Sequence, residues 1–291
     1  MEERYKKTKI KSTVSWIIAI VLALTATIVA ILPFVFMIIN SFKNKFEMLT
    51  KGVFALPQKI DLANYKEVLS GGFAGYFLNS VFLLAVVLAL ILFISACAAY
   101  PLSRFKFKLN GFIYGIIVAC MSIPIHITLI PVFQMTKNVG IYDSIWALIG
   151  PDVAFALPIS VFILTSFMKG IPKEIEESAE IDGCNKYKMF FKMILPLAKP
   201  GLSTLAIYNG VNVWNEFSFA YTLTQSVQSR TLPLAVWDFQ GQYAMNTPMI
   251  MAVLTLTVLP MIILFILAQD KLVKGMTAGA VKGLCYIVEN T

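Results

Sequence analysis

The sequence holds a single histidine, His126, in 291 residues. A Ser-His-Asp triad or a cluster of metal-binding imidazoles that needs further histidines is therefore excluded. Its four cysteines, Cys97, Cys120, Cys184 and Cys285, are scattered without a C-x-x-C pair. That spacing supports neither a disulfide framework nor a zinc site, and reads instead as small buried hydrophobes. No G-x-x-x-x-G-K-[ST] segment occurs, so a nucleotide-binding P-loop is absent from this chain. Charge is scarce too, at 14% of residues. A formal net charge of +8 suggests nucleic acid only until its placement is considered.

What the sequence does have is apolar length. Hydrophobic residues make up 58% of it and the mean hydropathy is +0.77, which is the composition of a polytopic membrane protein. Apolar segments near 14–40, 76–100, 111–133, 144–168, 202–223 and 249–268 read as six spans in one transmembrane domain covering 1–291. The fold class expected is all-α, a membrane helix bundle. The first segment is too long for a signal-peptide core and is read as a retained helix. Prolines 33, 124, 131, 151, 158 and 260 fall within the spans, which suits a bundle whose helices bend. Between spans one and two, DLANYKEVLSGG reads as a short surface helix from Asp61, stopped by Gly71 and Gly72.

Charge separates the two faces. The amino tail, the 101–110 turn, the 169–200 loop and the carboxyl tail hold five, three, six and three Lys and Arg residues. The other three connections hold five, one and one. The richer set is cytoplasmic by the positive-inside rule, so both termini and the 169–200 loop are expected there.

That loop is the most informative stretch, IPKEIEESAEIDGCNKYKMFFKMILPLAKP from Ile171 to Pro200. Pro172 suits a first helical turn, and Glu174, Glu176 and Glu177 follow where the helix dipole favours negative charge. Ile171, Ile175 and Ala179 form a narrow apolar stripe at spacing four. Gly183 stops this helix, and Asn185 can cap a second one. In that second helix Tyr187, Phe190, Phe191 and Ile194 share one face while Lys188 and Lys192 share another, as in an interfacial amphipathic helix. A charged loop is commonly just solvated; here capping, stripe and break agree on a short, rigid acidic helix.

At these residues the chain resembles the membrane subunits of bacterial ATP-binding-cassette importers. Their mark is Glu-Ala-Ala, three residues, Gly, nine residues, then Ile-x-Leu-Pro. Glu177, Ser178, Ala179, Gly183, Met193, Leu195 and Pro196 stand at those spacings, with Ser178 for the first alanine and Met193 for isoleucine. SFKNKFEM, NSVFLL, AAYPLSRFKF, WNEFSFA and GMTAGAVKG extend the likeness to the smaller permease of maltose-type carbohydrate importers. The resemblance implies a type I importer permease fold in a bacterial inner membrane. It also implies a loop that docks on the ATPase through Glu176, Glu177, Ser178, Ala179, Ile181, Asp182 and Gly183. The implied partners are a second permease, an ATPase dimer, an extracytoplasmic solute-binding protein and membrane lipid, with no nucleic acid. No catalytic residue, metal or cofactor is expected in this chain; ATP and Mg belong to the ATPase. The solute implied is a sugar, of oligosaccharide type. A permease for another solute and an ion-coupled secondary transporter are the alternatives. The latter would want several intramembrane carboxylates and inverted repeats.

Within the spans, Asn209, Asn212 and Glu216 recur along one face of the fifth, with Asn215 beside them. They fit a translocation path, with Trp214, Phe217 and Tyr221 to stack on sugar rings. They equally fit hydrogen bonding between helices, Glu216 leaning to the structural role. Asp152 reads as capped or water-facing rather than as a solute contact. His126 reads as a core histidine, Asn79 and Ser80 as a helix start. In the tail, Gly275, Thr277, Gly279 and Lys282 resemble the family segment that reaches toward the ATPase, although a flexible juxtamembrane tail has similar glycine spacing.

Overall fold

The computed structural model describes residues 2–239 and 246–288, with side chains over 15–239 and 246–267. Every regular element among the described residues is helical. The chain divides into two compact units: Met1–Gly71 with Asp238–Val258, and Gly72–Trp237 with Leu259–Thr291.

In the first unit, α1 (Glu2–Ser41) takes in the basic tail and the first span as one helix. Its apolar side chains from Trp16 to Val35 are exposed all round, which suits lipid rather than a protein core. Thr25 and Thr27 hide their hydroxyls by donating to the carbonyls of Val21 and Ala23, each at 2.8 Å. Beyond α1 the SFKNKFEM segment closes on itself. Lys43 is fully buried, and its Nζ donates to Asn40 Oδ1 at 2.9 Å and to the carbonyls of Gly52 and Val53. Asn44 caps α2 (Lys45–Lys51), and Asn64 donates to the carbonyls of Ser41 and Lys43. The short helix expected from Asp61 is α3 (Ala63–Val68), whose Ala63 N–H donates to Asp61. A π turn at Leu69–Phe73 follows, with Gly72 at φ +93°.

In the second unit, α4 (Ala74–Arg104) and α7 (Trp146–Lys169) form the central pair. Along α4 the buried residues Tyr76, Ser80, Leu83, Val87, Ile91 and Ser95 recur every three or four positions, making one inward stripe. Two clusters build the core. Leu83, Val87, Leu148, Val153 and Phe219 anchor one. Tyr100, Leu164, Met168, Met189 and Ile194 anchor the other, at the 169–200 loop.

Two of the expected spans are bent. The third breaks into α5 (Asn110–Cys120) and α6 (Ile125–Val139), set at 94°. Pro124 disfavours helical geometry at Ile123, and α5 alone, at about 16 Å, is shorter than the ~30 Å hydrocarbon layer. Around the fifth, the loop helices α8 (Glu174–Ile181), α9 (Lys186–Met189) and α10 (Leu195–Leu197) precede α11 (Lys199–Trp214). The Lys186–Leu197 stretch meets α11 at 68°. Helix α11 ends at Trp214, nine residues before the expected end of the span. After a break come α12 (Ser218–Leu223), α13 (Leu232–Asp238) and α14 (Thr247–Val288). Among the described residues four helical stretches are long and apolar enough to cross a membrane, and the number is up to six if each bent pair crosses as one broken span.

Candidate functional site

Helix α8 forms because three acids occupy its first turn and Ser178 returns its hydroxyl to the Glu174 carbonyl at 2.7 Å. It stops at Gly183, whose φ of +77° is open to glycine and strained for other residues. Asn185 then accepts from the Lys188 N–H at 2.8 Å, capping α9 as its position suggested. Lys186 pairs with Glu180 across the break.

The stripe seats α8. Ala179 is 3% exposed within the loop-end core, and Ile171 and Ile175 are half-buried. Glu176 also turns inward: its carboxylate lies 2.5 Å from Arg104 Nε, and both side chains are nearly covered. Arg104 Nη2 donates to the Ile171 carbonyl at 2.9 Å. One guanidinium therefore ties the end of α4 both to the turn before α8 and to the first turn of α8 itself. Of the residues expected to dock, Glu177, Ser178, Ile181, Asp182 and Gly183 remain outward. Ile181 is 87% exposed, an isolated apolar knob between acids, and Tyr187 at 80% stands beyond the break.

The four aromatic and aliphatic residues expected to share a face of the second helix do not. A π turn over Phe190–Ile194 shifts the register, so Phe190 and Ile194 are buried while Tyr187 and Phe191 face out. No period rule for an α-helix foresees that insertion.

Of the polar residues in the fifth span, Asn209, Asn212 and Glu216 line one cavity of about 290 Å3. Asn215 does not; it is exposed, with its amide donating to the Val211 carbonyl. Asn209 is 1% exposed and donates to Ser160 of α7 at 2.9 Å. Glu216 occupies the break after α11 and caps α12, accepting from the N–H groups of Phe219 at 2.8 Å and Ala220 at 3.0 Å. The hydrogen-bonding role expected for this stripe is therefore seen at Asn209 and Glu216, and the same side chains border a cavity. The aromatic residues differ from expectation. Trp214 is buried edge-on against Phe77, while Phe217 and Tyr221 stack on each other outside the cavity. Phe155, Tyr208 and Phe219 line it instead. Asp152 lines it too and is 6% exposed, inside α7 rather than at its cap. Its nearness to the stripe was hidden because it stands on α7, 64 residues before Glu216, with α8, α9 and α10 between.

Other readings change similarly. His126 is exposed in the first turn of α6, and Cys97 and Cys120 are exposed rather than buried. Asn79 and Ser80 do not start α4. Asn79 donates to the carbonyls of Gln228 and Arg230, and Ser80 accepts from the Leu232 N–H at 2.8 Å, tethering the segment before α13. Gly275, Thr277, Gly279 and Lys282 fall on α14, beyond the residues whose side chains are described.

The family model for "Binding-protein-dependent transport system inner membrane component" matches residues 91–278, which takes in the whole of the 169–200 loop. The chain belongs to that family. The permease is similar over 257 residues, at 50% identity, to a putative ABC transporter permease protein of Caldicellulosiruptor sp. (88% of this chain, 94% of the relative). It is 32% identical over 281 residues to an arabinooligosaccharides transport system permease protein of Halalkalibacterium halodurans (95% and 100%). It is 32% identical over 268 residues to a melibiose/raffinose/stachyose import permease protein of Bacillus subtilis (90% and 96%). Among solved structures, it is similar to a bacterial ABC transporter involved in the import of the acidic polysaccharide alginate. The TM-score is 0.77 at 21% identity, covering 87% of this chain and 95% of that one. The permease thus shares its all-helical fold with importer permeases and is a multi-pass membrane protein.

Proposed function

We propose that this permease carries a sugar, of oligosaccharide type, into the cytoplasm, powered by ATP hydrolysis in a separate subunit. The relatives named for arabinooligosaccharides and for melibiose, raffinose and stachyose support the solute class. The positive-inside count puts the 169–200 loop, both termini and α8 on the cytoplasmic side. The observation that carries the mechanism is α8 itself. It is short, its base is bolted to α4 through Arg104, and its outer face sets Ile181 among acids, of which Glu180 is paired with Lys186. An exposed isoleucine ringed by carboxylates suits an apolar socket with a basic rim on a soluble partner. The ATPase dimer fills that role, with ATP and Mg bound there and no cofactor held by this chain. A second homologous permease completes the membrane bundle, and a solute-binding protein delivers sugar from outside. As the ATPase dimer closes, α8 moves with it, and α4 and α7 follow because they share its core.

Glu177 is the outward acid of the motif, so Glu177→Lys reverses charge at the contact and leaves the fold alone. Combined with Gly183→Trp, it abolishes retention of the ATPase during purification, along with uptake and stimulated hydrolysis. A fully assembled, active transporter carrying both changes would show that α8 is not the docking element.

A further inference from the structure

One cavity in the second unit carries a charge arrangement that the coupling mechanism does not use. Asp152 on α7 and Glu216 after α11 both face it, and no Lys, Arg or His is among the residues that line it. Uncompensated carboxylates in a membrane protein interior are rare and mark a path or a ligand. The two are not equivalent. Glu216 has both oxygens engaged by backbone N–H groups of α12. Asp152 is 6% exposed, yet its Oδ2 is buried without a hydrogen-bond partner among the described residues. That oxygen is closed off from the cavity as well as from protein donors, so it is the carboxyl as a whole, bordering the cavity at 6% exposure, that points to a donor the chain does not supply. Asn209 turns its amide nitrogen to Ser160, and Asn212 turns its own to the Tyr208 carbonyl. Phe155 and Phe219 form apolar walls. At about 290 Å3 the cavity is just under the roughly 300 Å3 at which small-ligand pockets begin, the size of a subsite.

We infer that this cavity is a subsite for a neutral, hydroxyl-bearing solute, in which Asp152 accepts hydroxyl donors and the paired carboxylates turn anionic solutes away. The inference rests on the sugar-importer reading and sharpens it: this chain touches the solute and sorts it by charge. An O–H donor to a carboxylate makes a short, charge-assisted hydrogen bond, and the C–H faces of a sugar ring suit Phe155 and Phe219. A uronate or sulfonate would meet two carboxylates in a water-poor setting, where repulsion is strongest.

The test uses the full transporter in lipid nanodiscs, with Cys97, Cys120, Cys184 and Cys285 replaced by serine and Asn212→Cys at the exposed rim. Two methanethiosulfonates of similar size are compared, one trimethylammonium and one sulfonate, each rate divided by its rate with free cysteine. The cationic reagent is expected to react about tenfold faster. Asp152→Asn brings the ratio to within about threefold of unity, while Asp152→Glu keeps it high. Whichever of maltotriose, raffinose and arabinotriose the unsubstituted transporter takes up should slow labelling when Asp152 is present and not in Asp152→Asn. A ratio near unity with Asp152 in place overturns the proposal. So does protection by choline and by none of the sugars, which makes the cavity a cation site. If no sugar is taken up with ATP, the sugar reading fails instead, and the charge ratio, which needs no transport, still judges the cavity.

Discussion

At the scale of single residues, Asp143 shows how one carboxylate orders a junction. It sits at φ +58°, a left-handed conformation that Asp tolerates better than most side chains. Its Oδ1 accepts from the N–H groups of Gln225 and Ser226 and from the hydroxyls of Ser226 and Ser229, all between 2.7 and 3.0 Å. Partial burial acts to raise its pKa, but those four donors outweigh it and hold the carboxyl at about 2. The sign follows. A depressed native pKa gives stability that is present above the unfolded value near 3.9 and is lost as pH falls toward 2. Across pH 5 to 8 this clasp is therefore insensitive to pH. Asp143→Asn keeps the shape and the left-handed tolerance but loses charge, and should cost about 1–2 kcal/mol at pH 7. Asp143→Ala adds strain and strands the donors, costing about 3 kcal/mol. Thermal unfolding in detergent should show a gap from the parent that is flat from pH 5 to 8 and narrows below pH 4. A gap that grows on acidification contradicts the assignment.

Between elements, close approach decides more than hydropathy does. A Cβ built on Gly201 in the first turn of α11 would lie 2.9 Å from Cγ of Phe167 on α7. Ring Cγ is next to the backbone and cannot swing clear. Alanine is the better helix former by ~1 kcal/mol, but overpacking here costs about 1–3 kcal/mol. The clash is expected to win, so Gly201→Ala lowers the melting temperature, and adding Phe167→Leu restores it. Equal stability of Gly201→Ala and the parent would mean that α11 can slide on α7. Such contacts explain what the sequence could and could not disclose. The α8 stop at Gly183, the Asn185 cap and the Ala179 stripe are local, and all were legible from spacing and turn chemistry. The 94° bend at Pro124 was legible only as a kink, because proline marks where a helix yields and neighbours decide how far. The π turn at Phe190–Ile194 and the Arg104–Glu176 pair were illegible. The first is a register insertion without a residue signature, and the second joins positions 72 apart in sequence.

For the molecule as a transporter, that ion pair is where stability and coupling can be separated. Arg104 is 3% and Glu176 12% exposed at the side chain, so each charge has given up its water for the other, and Arg104 also for the Ile171 carbonyl. Removing one partner of a buried pair costs about 3–5 kcal/mol, chiefly because the survivor is stranded, whereas replacing both with apolar groups is often neutral or stabilising. Arg104→Met alone should therefore lower the melting temperature of the purified transporter sharply, and Arg104→Met with Glu176→Leu should recover it. The two roles then part. If the pair only fills space, the double variant transports normally. If it is the rigid link through which α8 pulls on α4, the double variant keeps its ATPase subunits and hydrolyses ATP. It then moves less solute per ATP, because the seat of α8 has become an apolar contact that can slip. Uptake and phosphate release measured together in proteoliposomes give that ratio. A recovered melting temperature with an unchanged ratio would place the link elsewhere in the loop-end core, among Ala179, Met189 and Met168.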